Sequence, residues 1–115
     1  MAVTNSNHWG DSAVLIIIDP QDPHEADANA LKLELLCDSA RVSVADEMRV
    51  RRPNPDHRWY IGRGQAEEAF LRVQESGADV VVFGEDLSPS QQRNLEEVAT
   101  VRVVDRTQLI LDIFA

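Results

Sequence analysis

The stretch Tyr60 to Glu68, YIGRGQAEE, puts two glycines around an arginine ahead of a helix-like run. Backbone N–H groups at such a helix start can hold a phosphate. Gly62 and Gly64 permit positive φ and close backbone approach. A dinucleotide fingerprint needs a third glycine, and Glu67 stands in its place. Glu67 and Glu68 fall in the expected first helical turn, where carboxylates stabilise the bare terminus and repel phosphate. The residues therefore favour a tight turn into a helix over a nucleotide cradle.

The arginines around this loop offer a second chemistry. Residues 41–64 hold six arginines against three acids, a net of +3. The remaining chain holds five basic and seventeen acidic groups, a net of −12, which gives −9 in all. Arg49, Arg51, Arg52, Arg58 and Arg63 interleave with Trp59 and Tyr60. Arginine meets phosphate and aromatic rings stack on bases, so the composition is that of an RNA contact. The competing reading pairs these arginines with the acids elsewhere and lays Trp59 and Tyr60 over the core.

Three further groups could carry chemistry. Asp19, Glu85, Asp86 and Asp105 follow apolar strands, and the carboxyl edge of an open α/β sheet is where ligands bind. They support an alternative function, a nucleotide-binding or phosphotransfer domain that holds Mg²⁺ on carboxylates. Asp105 is equally explained as a helix cap and Asp19 as a turn residue before Pro20. Ser90, Gln91, Arg93 and Asn94, in SPSQQRNLEE, offer a polar partner surface or simply the solvated face of a capped helix, with Arg93 bridging Glu97. His8, His24 and His57 have no metal-ligand spacing with Cys37, and no Ser-His-Asp or Cys-His arrangement exists. No catalytic residue and no metal site is assigned.

At 115 residues the chain is one domain's worth, with 43% hydrophobic residues. No apolar run reaches the roughly 20 residues that span a bilayer. Met1 to Ser12 is polar, lacks a signal-peptide pattern and reads as a flexible tail, leaving 13–115 as the folded domain. A single cysteine excludes an internal disulfide and agrees with a cytoplasmic location.

The elements that must carry these residues follow from periodicity. Ala13–Asp19 is a continuous apolar run, a strand buried on both faces and hence in a parallel sheet. Asp27–Ala40 reads as a helix with Ala28, Leu31, Leu35 and Leu36 inward. Arg41–Ala45 alternates as a strand, running into a second extended piece. Pro53 and Pro55 make the RRPNPDHRW segment a loop. Gly64–Ser76 is an amphipathic helix with Ala66, Ala69, Phe70 and Val73 inward, stopped by Gly77. DVVVF is a strand; Ser88, Pro89 and Gln91 start a helix to about Ala99; VRVV is a short strand; Asp105 and Gln108 cap a last helix. Alternating strands and helices give a three-layer α/β domain with a mainly parallel sheet of about four strands. The last helix, with Leu109, Ile110, Leu111, Ile113 and Phe114, is apolar around most of its circumference. It calls for self-association or for cover by chain that follows.

YIGRGQAEE, LSPSQQRNLEE and VVDRTQLILDIFA, in this order, resemble the N-terminal domain of the HflX-type ribosome-associated GTPases. The resemblance runs from about Val14 to Ala115. It implies a binding module that helps dock a parent GTPase on the large ribosomal subunit, against rRNA, in ribosome splitting or rescue. It also implies helical and GTPase domains outside this chain, which would carry GTP and Mg²⁺; the chain itself would take no cofactor and meet no membrane. The family usually has lysine where this sequence has Gln65. The chain has no GxxxxGK[ST] element, so no GTP hydrolysis is expected from it. Phosphate release from GTP by the purified chain should stay at background, and turnover that persists through repurification would overturn this.

Overall fold

The structure, a computed structural model, describes residues 11–19, 22–51 and 56–114. Its order is β1 (Ser12–Asp19), α1 (Pro23–Ser39), β2 (Ser43–Arg51), α2 (Arg63–Ser76), β3 (Val80–Phe83), α3 (Pro89–Ala99), β4 (Arg102–Val104) and α4 (Arg106–Ile113). The four strands form one parallel sheet in the order β2-β1-β3-β4. Strand β1 buries Ala13 to Ile17 completely or nearly so. Its alternate residues serve two cores. Val14 and Ile16 join Val81, Phe83, Ala66, Val73 and Leu95 under α2 and α3. Ala13, Leu15 and Ile17 join Leu33, Cys37, Val82 and Leu109 under α1 and α4. Helices on both faces of a parallel sheet make the three layers that the strand–helix alternation implies.

Several boundaries differ from the sequence reading, each for a physical reason. Strand β1 takes in Ser12, and the Asp11 N–H donates to Asp79 Oδ2 at 3.0 Å, so the ordered domain begins before Ala13. Helix α1 begins at Pro23, four residues early, because the Asp22 side chain accepts from the His24 N–H and proline is tolerated in the first turn. Its inward face is also different: Ala26, Ala30, Leu33 and Cys37 are buried, whereas Leu31 and Leu35 are 56% and 58% exposed. Small residues let α1 approach the sheet closely. Arg41 turns the chain at φ 62 and is not in a strand, and β2 instead continues to Arg51. Ala13 pairs with Val44 and Val14 with Asp46, so Ala45 is bulged out.

The ends of α2, α3 and α4 follow their cap residues. Gly77 closes α2 at φ 72. Ser88 and Asp105 each accept from the amide three residues on, and Gln91 and Gln108 bond back to the cap amides. Asp105 is buried and also accepts from the Leu87 N–H at 3.0 Å, which joins β4's end to the start of α3. On α4, Leu109 is buried and Ile110 and Ile113 are half-buried, while Leu111 and Phe114 are 65% and 84% exposed. The ring of apolar residues is thus only partly covered. No described helix is long and apolar enough to cross a membrane.

Cys37 is fully buried, and burial with the Glu34 and Glu47 charges pushes its thiol up to about 12 from 9.0, so it is inert at neutral pH. Glu47 itself is pushed up to about 7 from 4.5, by burial first and then by the Glu34 carboxyl and Asp46 against the opposing Arg49.

These groups set two expectations for stability. Asp105→Ala removes a cap and strands the Leu87 amide, and should cost about 2–4 kcal/mol in denaturant melts, with Asp105→Asn costing less. Glu47 has a raised folded pKa, so its contribution is fully present below about 4.5 and is lost as pH rises through about 7. Glu47→Gln should therefore melt about 2–4 °C above the parent chain at pH 8 and close to it at pH 4.5.

Candidate nucleic-acid interface

The basic segment is presented by a short, pinned turn. Asp56 and Tyr60 exchange both backbone hydrogen bonds at 2.9 Å, closing a loop over His57, Arg58 and Trp59. The Asp56 carboxylate accepts from the Arg58 and Trp59 amides at 2.7 and 3.1 Å, so the loop carries its own turn-former. Tyr60 then adopts φ 67, the left-handed conformation that follows such a three-residue turn. Its ring meets Phe83 edge-on at 6.4 Å, and Ile61 is fully buried. Trp59 and Tyr60 thus lie against the core, as one of the two sequence readings has it.

The glycines do not do what their spacing suggests. Gly62 sits at φ −67 as the cap position of α2, and positive φ falls on Tyr60 instead. Gly64 lies in the first helical turn, and a Cβ there would meet nothing within 4 Å. Since α2 starts at Arg63, Glu67 and Glu68 fall in its second turn, where they pair with Arg63 at 3.8 Å and Arg72 at 2.8 Å. Gln65, in the place of the resembling family's lysine, accepts from the Gly62 N–H at 2.8 Å. The loop is a tight turn into a helix.

From its other side α3 holds the same turn. Gln91 Nε2 donates to the Asp56 carbonyl at 2.8 Å, and Asn94 Nδ2 donates to the Arg58 carbonyl at 3.2 Å. These two residues, expected on a free partner surface, are spent on positioning. Ser90 and Arg93 remain exposed; the Ser90 and Ser88 hydroxyls lie 3.3 Å apart, and among the described residues Arg93 makes no ion pair with Glu97. The α3 contacts to loop carbonyls are the part that sequence reasoning missed. The amide side chains at i and i+3 are the only signal for them.

Of the five arginines, Arg58 and Arg63 come together. With Trp59, Ala66, Glu67 and Val98 they line a cleft of about 290 Å³. The Arg58 guanidinium lies 5.2 Å from the Trp59 ring centroid. Arg63 is 79% exposed and Glu67 62%. Arg49 is instead bound to Asp27 at 2.8 Å, an intramolecular partner. Arg51 is exposed at the end of β2, inside regular structure and not in the loop. Arg52, Pro53 and Pro55 lie outside the described residues, as does His8.

The acids at the sheet edge are largely occupied. Asp105 is a cap, and Asp86 Oδ1 accepts from the Thr107 hydroxyl at 2.7 Å. Burial raises the Glu85 carboxyl against the pull of Arg106, and it interacts with the Tyr60 hydroxyl, which burial and the Glu85 charge also raise. Asp19 Oδ1 is buried without a hydrogen-bond partner among the described residues. Among the described residues no three His, Cys, Asp or Glu side chains could hold a metal ion.

Comparison with known proteins agrees with this architecture. Solved structures of a GTP-binding protein from Sulfolobus solfataricus in complex with GDP, and of SsGBP variant G235P, superpose with TM-scores of 0.61 and 0.70. Each covers 92% of this chain but only 30% and 32% of the solved one, at 21% and 18% identity, so the likeness is one of fold. GTPase HflX of Escherichia coli is 42% identical over 107 residues, and that of Alkalihalophilus pseudofirmus 36% over 95. These matches take in 92% and 83% of this chain and 25% and 22% of the relatives, so the chain spans about a quarter of their length. Residues 27–115 match the family described as GTP-binding GTPase N-terminal, and the chain belongs to that family, as an HflX N-terminal domain.

Proposed function

We propose that this domain docks an HflX-type parent GTPase on the large ribosomal subunit through rRNA contact at the Asp56–Arg63 turn. The observation that carries the reading is the cleft in which Arg58 and Arg63 stand exposed beside Trp59 on a turn fixed by α3. Rigid presentation lowers the entropic cost of binding. Arg51 and Arg52 add charge to the same sequence segment, whereas Arg49 serves Asp27. GTP and Mg²⁺ belong to the parent's GTPase domain. This domain takes no part in hydrolysis, and the setting is cytoplasmic. Leu111 and Phe114, exposed on α4, meet the parent's remaining domains or a second copy of the chain.

Changing Arg51, Arg52 and Arg58 to glutamate in the parent should weaken large-subunit binding by at least tenfold. It should also flatten the dependence of log affinity on log salt by about 0.7 to 0.9 for each phosphate that is no longer neutralised. The melting temperature should change little, because Arg51 and Arg58 are exposed and carry no ion pair among the described residues. Wild-type affinity across the salt series would reject the turn as the contact.

A further inference from the structure

The cleft beside the turn has more chemistry than phosphate attraction requires. Backbone contacts need only exposed cations, yet this cleft is also lined by Trp59, Ala66, Val98 and Glu67. A carboxylate there repels phosphate and suits a hydrogen-bond donor on a different part of the ligand. Trp59 is half-buried against the core, and the Arg58 guanidinium lies over its ring, 5.2 Å from the centroid, so that Arg58 is the outer layer of the stack. Guanidinium planes and aromatic rings are the surfaces on which unstacked bases lie. At about 290 Å³ the space sits at the lower limit of small-ligand sites, roughly 300 Å³, which suits one base and not a duplex.

Resting on the proposed rRNA contact, we infer that this cleft receives a single extruded guanine base of an RNA strand. The base stacks on the Arg58 guanidinium, which itself lies over Trp59, with one edge toward Ala66 and Val98. The flanking phosphates lie on Arg58 and Arg63. Glu67 accepts from N1–H and the exocyclic N2 amine, the adjacent donor pair that only guanine offers on its Watson–Crick edge. Glu67 has the capacity for this: it is 62% exposed, and its pairing with Arg63 is long, at 3.8 Å. Adenine and uracil each offer that carboxylate at least one acceptor and are disfavoured.

The test uses this chain with Trp9→Phe, so that emission reports Trp59 alone. The probes are the single strands UUGUU, UUAUU and UUUUU and a blunt RNA duplex. UUGUU should quench Trp59 and bind at least fivefold more tightly than the other two strands and tenfold more tightly than the duplex. Glu67→Gln should bring the three strands within about twofold of one another. Trp59→Leu, scored only if its melting temperature is retained, should weaken UUGUU about tenfold. Unchanged Trp59 emission with every strand, equal affinity for strands and duplex, or a guanine preference that survives Glu67→Gln would each overturn the inference. So would quenching by an apolar peptide with none by RNA. The ribosome experiment separates the two ideas: loss of subunit binding in the triple arginine variant with silent Trp59 emission leaves docking standing and removes the base site. No effect in either removes both.

Discussion

The structure depends on one requirement: the five residues from Ala13 to Ile17 must be hidden from water on both faces of β1. A strand with no solvent side needs a neighbour on each edge and a helix layer above and below. Helices α1 and α4 cover one face, α2 and α3 the other, and the sheet order β2-β1-β3-β4 puts β1 between two partners. Chain leaves β1 toward β2 and returns to its other edge as β3, so the loops at the carboxyl ends diverge there. The Asp56–Tyr60 turn is part of the long return from β2 to β3. It is fastened at that end of the sheet by Tyr60 against Phe83 and by the buried Ile61.

Elements with strong local signals were legible in the sequence. Strands β1 and β3 show as unbroken apolar runs, and α3 and α4 show by capping pairs that the structure reproduces bond for bond. What periodicity misread is informative. In α1 the leucines suggest the inward face, but the buried positions are Leu33 with Ala26, Ala30 and Cys37, small side chains that permit close approach. Asp22-Pro23 looks like the Asp19-Pro20 pair that ends β1, yet it starts a helix; the dipeptide is compatible with both, and only the following helical run decides.

The candidate site was half legible. The arginines and aromatics are plain in the sequence, but which of them share a surface is a tertiary matter. Arg49 points to Asp27 and is spent, while Arg58 and Arg63 meet across a turn. The glycine pair is misleading for a similar reason. Positive φ is needed two residues earlier, at Tyr60, where packing on Phe83 outweighs the preference for glycine. Gln91 and Asn94 look like free surface because their partners are backbone carbonyls, which carry no sequence signature.

The charge distribution makes most sense when distance is considered. The molecule measures 45 × 31 × 26 Å, several Debye lengths of about 8 Å at physiological ionic strength. Remote carboxylates are therefore screened at the turn, where the exposed Arg58 and Arg63 and the acid Glu67 set the local charge. Approach by any other face meets the acidic remainder. An acidic domain of this kind resists indiscriminate RNA binding. Arg63 contributes little to the fold. A cation at the first position of α2 opposes the helix dipole, and its 3.8 Å pairing with the exposed Glu67 returns little stability. What it does line is the cleft that also holds Arg58 and Trp59.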